Sequence, residues 1–280
     1  MGGTTSDPTR PEGGSEIVWA RPPASLRPLV DLYSGYRMPA GEPGVHMGVP
    51  GGHLTFLLCL DGTVEILRMP DPDRSPGSFT GMVGGLHDAP AVIATGVAQT
   101  GLQLRLTWRG ARTLLGTPAS ALRGDVVELA ELIGCRARIL LERLAEAPTW
   151  ASRFALLDAA LLRLAADARP ADPRPEVAQA WHRLAETGGT LRIEELAREI
   201  GWSRRYLALQ FRDETGLSPK SAARVIRFER ACDLLRGPSR PALAGVAATC
   251  GYADQAHLAR DFRELAGLTA TAWIAELPTG

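Results

Sequence analysis

Lysine is all but missing from this chain: of its 31 basic residues only Lys220 is not arginine, and 31 acidic residues cancel them to a formal net charge of zero. That balance excludes a protein that holds polyanions by bulk charge, so any nucleic-acid affinity has to come from where the charges sit. The arginine bias itself suggests a GC-rich bacterial genome. Paired cysteines are lacking too. Cys59, Cys135, Cys232 and Cys250 are scattered without a CxxC, which speaks against a zinc ribbon or a disulfide framework and suits a reducing compartment. We read them as small buried core residues. Nor is there a long hydrophobic stretch. The longest predominantly apolar run, Leu54 to Leu60, has seven residues, far fewer than the ~20 needed to cross a bilayer, and no charged-then-apolar leader precedes it. A soluble, cytoplasmic protein with no membrane partner is expected. Catalytic signatures are also missing: there is no P-loop, dinucleotide fingerprint or nucleophile elbow, and Gly81 to Gly85 is too short to count as one. His46, His53 and His87 lack a His-x-His spacing. No enzyme activity, cofactor or metal is expected.

What is present divides the 280 residues into two regions. Residues 1–14, rich in Gly, Thr and Pro, read as a disordered tail. Residues 15–168 read as one domain. Ser25 to Tyr36 has helical apolar spacing, and short β-rich runs follow from Gly44 to Trp108. His53 to Leu58 and Thr63 to Leu67 flank Asp61 and Gly62, a hairpin signal, with further strands near Phe79 to Val83, Ala91 to Val97 and Gly101 to Trp108. Such texture predicts a small barrel or sandwich whose interior can hold a small ligand. Helices are predicted over Val126 to Leu144 and Ala151 to Ala166, either as core or as a dimer surface. Residues 169–175, with three prolines, read as a linker. Residues 176–280 read as all-α.

Within that all-α region a single pattern occurs twice. Leu196, Ala197, Gly201 and Trp202 recur as Val246, Ala247, Gly251 and Tyr252 at an offset of 50, and Leu207, Phe211, Gly216 and Leu217 recur as Leu258, Phe262, Gly267 and Leu268 at 51. Each copy reads as short helix, glycine turn, second helix, which is the helix-turn-helix unit whose second helix fits the major groove of DNA. Gly201 and Gly251 stand where the turn needs a positive φ, Ser203 can cap the helix that follows, and Gly216 can end it. Leu207 and Phe211 mark the core side of the first of these helices, with Glu214 beside them. Its outward face carries Arg204, Arg205, Ala208, Leu209 and Arg212. In the second copy Gln255, Ala256, His257, Arg260 and Arg263 point outward. Arginine can donate two bonds to guanine, and glutamine can bond adenine twice, so these are side chains suited to reading base edges. Between the copies, Ser218 can cap and Pro219 can begin a linker helix whose stripe of Ala222, Val225, Ile226, Phe228, Ala231 and Leu235 can brace both units. About 34 Å between the reading helices would set them in successive major-groove segments.

The stretch GWSRRYLALQFRDETGLSPKSAARVIRFERA, followed by VAATCGYADQAHLARDFRELAGLTATAW, resembles the AraC/XylS-type transcriptional regulators over roughly the last hundred residues. It departs from many members at Leu209, where they carry Arg, and at Ala270, where Pro is usual. The resemblance implies a seven-helix, two-unit DNA-binding domain that reads DNA through Arg204, Arg205, Ala208 and Leu209, and through Gln255, Ala256, His257 and Arg260. Trp19 to Pro23, Leu26 to Val30, Tyr33 to Arg37 and Thr107 to Pro118 resemble, more loosely, the N-terminal domain of a subgroup of these regulators, implying a cupin-like sensory or dimerisation role. The fold expected is therefore α+β with two domains: a cupin-like barrel or sandwich with flanking helices, then the two helix-turn-helix units on their linker helix. His53, Phe56, His87, Arg105 and Trp108, polar or aromatic groups on predicted strands, are the candidate ligand-pocket liners.

The function expected is sequence-specific regulation of transcription on double-stranded promoter DNA. A small-molecule effector, a second copy in a homodimer and, for an activator, RNA polymerase are the other partners considered. Two alternatives stand beside it: a constitutive DNA-binding dimer without ligand, and a DNA-repair enzyme that uses these helices for targeting. The second needs a four-cysteine zinc site whose spacing this chain lacks.

Overall fold

The computed structural model describes residues 14–168, 173–237 and 239–277. The expected tail up to residue 13 and residues 169–172 of the expected linker lie outside them.

Among the described residues ten strands make two antiparallel sheets. The larger has six strands: β1 (Glu16–Ala20), β2 (Val30–Met38), β9 (Gln99–Leu106), β4 (Leu54–Asp61), β7 (Gly81–Gly84) and β10 (Val126–Glu128), in that spatial order. The smaller holds β3 (Gly44–Gly48), β8 (Ala91–Thr95), β5 (Val64–Arg68) and β6 (Gly77–Phe79). Strand side chains alternate between faces, so β4, β7 and β10 of the larger sheet serve two cores. Leu54, Phe56 and Leu58 of β4, with Leu102, Leu104 and Leu106 of β9, lie in the main core with helices α1 (Trp108–Leu115), α3 (Cys135–Glu146) and α4 (Trp150–Asp167). Residues of opposite parity face the smaller sheet, where Cys59, Val64, Ile66, Met69, Met82 and Val126 form a second cluster.

Five local expectations are corrected. The helix expected over Ser25 to Tyr36 is a turn followed by β2, because Val30 to Met38 pairs with β1 on one side and β9 on the other, and two ladders outweigh a local helical spacing. Asp61 and Gly62 do turn the chain, with Gly62 at φ 76°, but β4 and β5 then join different sheets and do not pair as a hairpin. The helix expected over Val126 to Leu144 begins as β10 against β7, runs as α2 (Leu129–Ile133), and breaks at Gly134, whose φ of 63° no α-helix accepts, before α3. Trp108 is not on a strand; it opens α1, which Thr107 caps through a bond from the Gly110 amide at 3.0 Å. Three of the cysteines are buried, but Cys135 is exposed.

The C-terminal region is helical throughout: α5 (Pro175–Glu186), α6 (Ile193–Ile200), α7 (Arg204–Thr215), α8 (Pro219–Arg236), α9 (Leu243–Thr249), α10 (Gln255–Asp261) and α11 (Ala270–Ala275). Pro175, placed at the end of the linker from sequence, is already the first residue of α5. Ser218 caps α8 through the Ser221 amide at 3.0 Å, with Pro219 following, and Ala222, Val225, Phe228, Ala231 and Leu235 are buried along it. The sheet-rich region and the helical region make the two-domain α+β arrangement expected.

Candidate nucleic-acid interface

Both repeats fold alike, for the same local reasons. Helix α6 ends at Gly201, φ 79°, and Trp202 returns its amide to the Ala197 carbonyl at 2.9 Å. Helix α9 is followed by Gly251, φ 74°, and Tyr252 returns its amide to Ala247 at 2.9 Å. Ser203 caps α7 through the Tyr206 amide at 3.2 Å. In the second unit the cap is Asp254, whose Oδ1 accepts from the His257 amide at 2.7 Å. Ala253 between Tyr252 and Asp254 is therefore the extra residue that moves the offset from 50 to 51. The turn aromatic packs edge-on against the residue that donates to the cap, Trp202 on Tyr206 and Tyr252 on His257. Gly216 and Gly267 end the second helix of each unit at φ 83° and 71°. In the second unit it continues past α10 as a wider π turn over Phe262–Ala266.

The outward faces are those expected. Arg204, Arg205, Leu209 and Arg212 on α7, with Ser203 before it, are exposed, and Ala208 is half-buried. Gln255, Ala256, Arg260 and Arg263 are exposed, and His257 is half-buried. What the repeat alone does not tell is whether the two faces meet. In part they do: Arg204, Arg205 and Ala208 from α7, and His257 and Arg260 from α10, line one concave groove of about 1050 Å3, whereas Ser203, Leu209, Arg212, Gln255, Ala256 and Arg263 lie outside its lining. Its floor is Lys220, Arg224 and Arg227 of α8, and Arg192 stands on the α6 side. Sequence reasoning missed these four, although Lys220, Arg224 and Arg227 fall at i, i+4 and i+7, a spacing that marks one helical face. Carboxylates already hold some of this charge. Arg204 pairs with Glu194 at 2.6 Å, and Arg224 with the buried Asp261 at 2.8 Å and with Glu264. Arg227 lies over the Tyr252 ring, 4.9 Å from its centre. A concave surface lined by guanidinium groups and one ammonium is suited to a phosphate backbone, and the two helix faces beside it to base edges.

The five expected pocket liners do not surround one cavity. Phe56 and Trp108 lie in the helix-covered core of the larger sheet. Arg105, opposite Thr55 in the ladder, has the other parity and faces away from it. Half-buried His87 contacts the Ala89 carbonyl through Nδ1, and its burial lowers its pKa. His53 and Arg105 turn instead to the helical domain. His53 Nδ1 lies 2.9 Å from Glu229 Oε1 on α8, Arg105 Nη1 lies 3.8 Å from the same oxygen, and the Gly52 amide donates to Oε2 at 2.7 Å. Trp108 packs against Trp181 of α5, and Trp181 stacks on Phe211 of α7, with ring centres 6.3 and 5.7 Å apart. Arg112 of α1 bonds Glu214 of α7 at 2.8 Å, and Ser120 Oγ donates to the Asp213 carbonyl at 2.6 Å. These residues thus serve contact between the domains, a role no periodicity in the sequence announces. Among the described residues no cluster of three or more His, Cys, Asp or Glu is arranged to hold a metal ion.

The chain thus joins two helix-turn-helix units, bordering one basic groove, to a sheet-rich domain. Residues 196–276 match a helix-turn-helix domain family. Across 88% of the chain the fold is similar to that of ToxT from Vibrio cholerae. An apo variant of ToxT from strain SCE256 matches with a TM-score of 0.55 at 11% identity, covering 88% of this chain and 97% of that one. Wild-type ToxT with bound unsaturated fatty acid, from the same strain, matches with a TM-score of 0.54 at 10% identity, covering 88% and 95%. No curated protein sequence matches the chain. No helix among the described residues is long and apolar enough to cross a membrane.

Proposed function

We propose that the chain is a sequence-specific regulator that sets α7 and α10 into successive major-groove segments of promoter DNA. Ser203, Arg204, Arg205, Ala208, Leu209 and Arg212 would serve one segment, and Gln255, Ala256, His257, Arg260 and Arg263 the other. Lys220, Arg227 and Arg192 would meet the phosphates that run between the segments. The observation that carries this reading is that Arg204, Arg205 and Ala208 of α7 border the same groove as His257 and Arg260 of α10, which supports contact with one duplex. Residues 176–280 would form the DNA-binding domain, working in the cytoplasm, and residues 15–168 a domain that senses a small molecule or holds a homodimer. RNA polymerase would be a partner if the protein activates. ToxT structures contain an unsaturated fatty acid and (E)-4-(8-methylnaphthalen-1-yl)but-3-enoic acid. By analogy, hydrophobic carboxylic acids are the first effectors to screen by thermal shift, since a ligand of the folded state raises the melting temperature. Genome-wide footprinting with purified protein tests the main reading: discrete protected sites with paired half-sites are expected, and uniform protection that follows only salt would overturn it.

A further inference from the structure

The two units are not equally attached to the rest of the molecule. Leu196, Leu207, Phe211 and Ala223 of the first unit belong to the same continuous core as the sheet domain. Phe228, Ala231 and Leu235 of α8, with Val246, Phe262 and Trp273, form a core of their own. The break falls inside α8, between Ala223 and Phe228, and a helix crossing between two packed bodies is where their relative angle is decided. Glu229 lies beside that break. Its carboxylate, four-fifths buried, reaches out of the helical domain to the Gly52 amide, His53 and Arg105. The loop is shaped for this approach: a Cβ on Gly51 would come within 2.8 Å of the His53 ring, and one on Gly52 within 3.2 Å of Glu229 Oε2. Elsewhere the second unit meets the sheet domain at Val49 against its core, at the Met47 methyl and Pro90 beside Gly267, and where His46 comes near Arg236 and Glu276.

We infer that Glu229 is a positioning residue for DNA recognition: by tying the joint between the two units to the loop at 51–53, it makes the sheet domain, and not α8 alone, hold α7 and α10 at one separation. The inference rests on the reading of α7 and α10 as paired DNA readers. A buried carboxylate is costly unless its oxygens are bonded, so the contact is either made in full or abandoned. Burial alone would raise the Glu229 pKa, yet the bonds from His53 and Gly52 and the charge of Arg105 pull it down to about 2. Glu229 touches no side of the groove, so its effect on DNA must pass through the angle of α8.

The test uses the full chain and an operator recovered by footprinting, with none, one or two base pairs inserted between its half-sites. Each insertion turns one half-site by ~35° about the duplex relative to the other. The wild-type protein should lose ~100-fold in affinity on the two-base-pair insertion, and Glu229→Ala no more than ~10-fold. A double variant, His53→Gln with Arg105→Gln, removes the grip from the other side and should give the same flattened profile. It also carries the test should Glu229→Ala fail to fold. A merely structural loss would weaken every site by one factor and leave the ratios between spacings untouched. Identical ratios in wild type and variants overturn the inference. Failure of the wild type to select any site would instead overturn the reading of paired readers.

Discussion

Arg260 is the residue on which the second reader's specificity should turn. It is exposed, on the outward face of α10, and unlike Arg204 and Arg224 it makes no ion pair among the described residues, so its guanidinium is free to meet a base. Arg260→Ala should weaken the best site by ~1–3 kcal/mol and relax preference at one base pair, measured by fluorescence anisotropy on operators substituted position by position. Equal loss on random DNA would show it to be only a phosphate contact. Glu229 is a residue of another kind, internal and titratable. Its folded pKa of about 2 lies below its ordinary 4.5, so the stability it contributes is present in full above pH 4.5 and fades as pH falls toward 2. Urea melts of wild type and Glu229→Gln should therefore differ by on the order of 2 kcal/mol at pH 6, and converge near pH 2. A difference that persists at pH 2 would mean that packing, not charge, is what Glu229 provides.

At the scale of elements, the two turns are matched in conformation and unmatched in surroundings. Gly201 and Gly251 share a left-handed φ, 79° and 74°, which costs an L-residue about 1 kcal/mol or more. A Cβ at Gly201 would meet open space, whereas one at Gly251 would come 2.5 Å from Thr190 Cγ2 in the segment before α6. Gly201→Ala should cost only that conformational term of about 1 kcal/mol, and Gly251→Ala distinctly more, because the Thr190 side chain, held by its hydroxyl's bond to the Thr187 carbonyl, must move as well. Chemical denaturation of the two single variants checks the ordering. The reverse order would mean that the second turn yields more readily than its contacts suggest. The caps differ similarly. The first reader begins at a serine and the second at an aspartate, whose charge also complements the positive end of α10.

At the scale of the molecule, neutrality is a sum over unlike surfaces. From Pro175 onward 14 basic side chains face 13 acidic ones, yet seven of the basic ones gather in the groove, against Glu194, Asp261 and Glu264. DNA binding should therefore depend strongly on salt despite a net charge of zero. Lys220→Ala, at the floor, should lower the slope of log K against log salt by ~1 and weaken operator and random DNA alike, as a salt series on both duplexes would show. An unchanged slope would remove the α8 floor from the interface. Because the sheet domain grips α8 and continues into the first unit's core, a change in that domain has a mechanical route to the readers without touching DNA.

The sequence by itself determined the repeat, its two glycine turns, the Ser203 and Ser218 caps, the outward arginines and the apolar stripe of α8. These follow from spacing along one helix, and a helix writes its faces into its own period. Strand parity was legible in principle: Phe56 lies one step from Thr55, the partner of Arg105, so the two could never have faced one pocket. Only tertiary structure decided that Val30 to Met38 is a strand, that β4 and β5 separate into different sheets, that α7 and α10 each line part of one groove, and that His53, Arg105 and Trp108 contact the other domain. Each of those depends on a partner far along the chain, such as Gly52 and Glu229, 177 residues apart, and local propensity is too small an energy to choose among such partners.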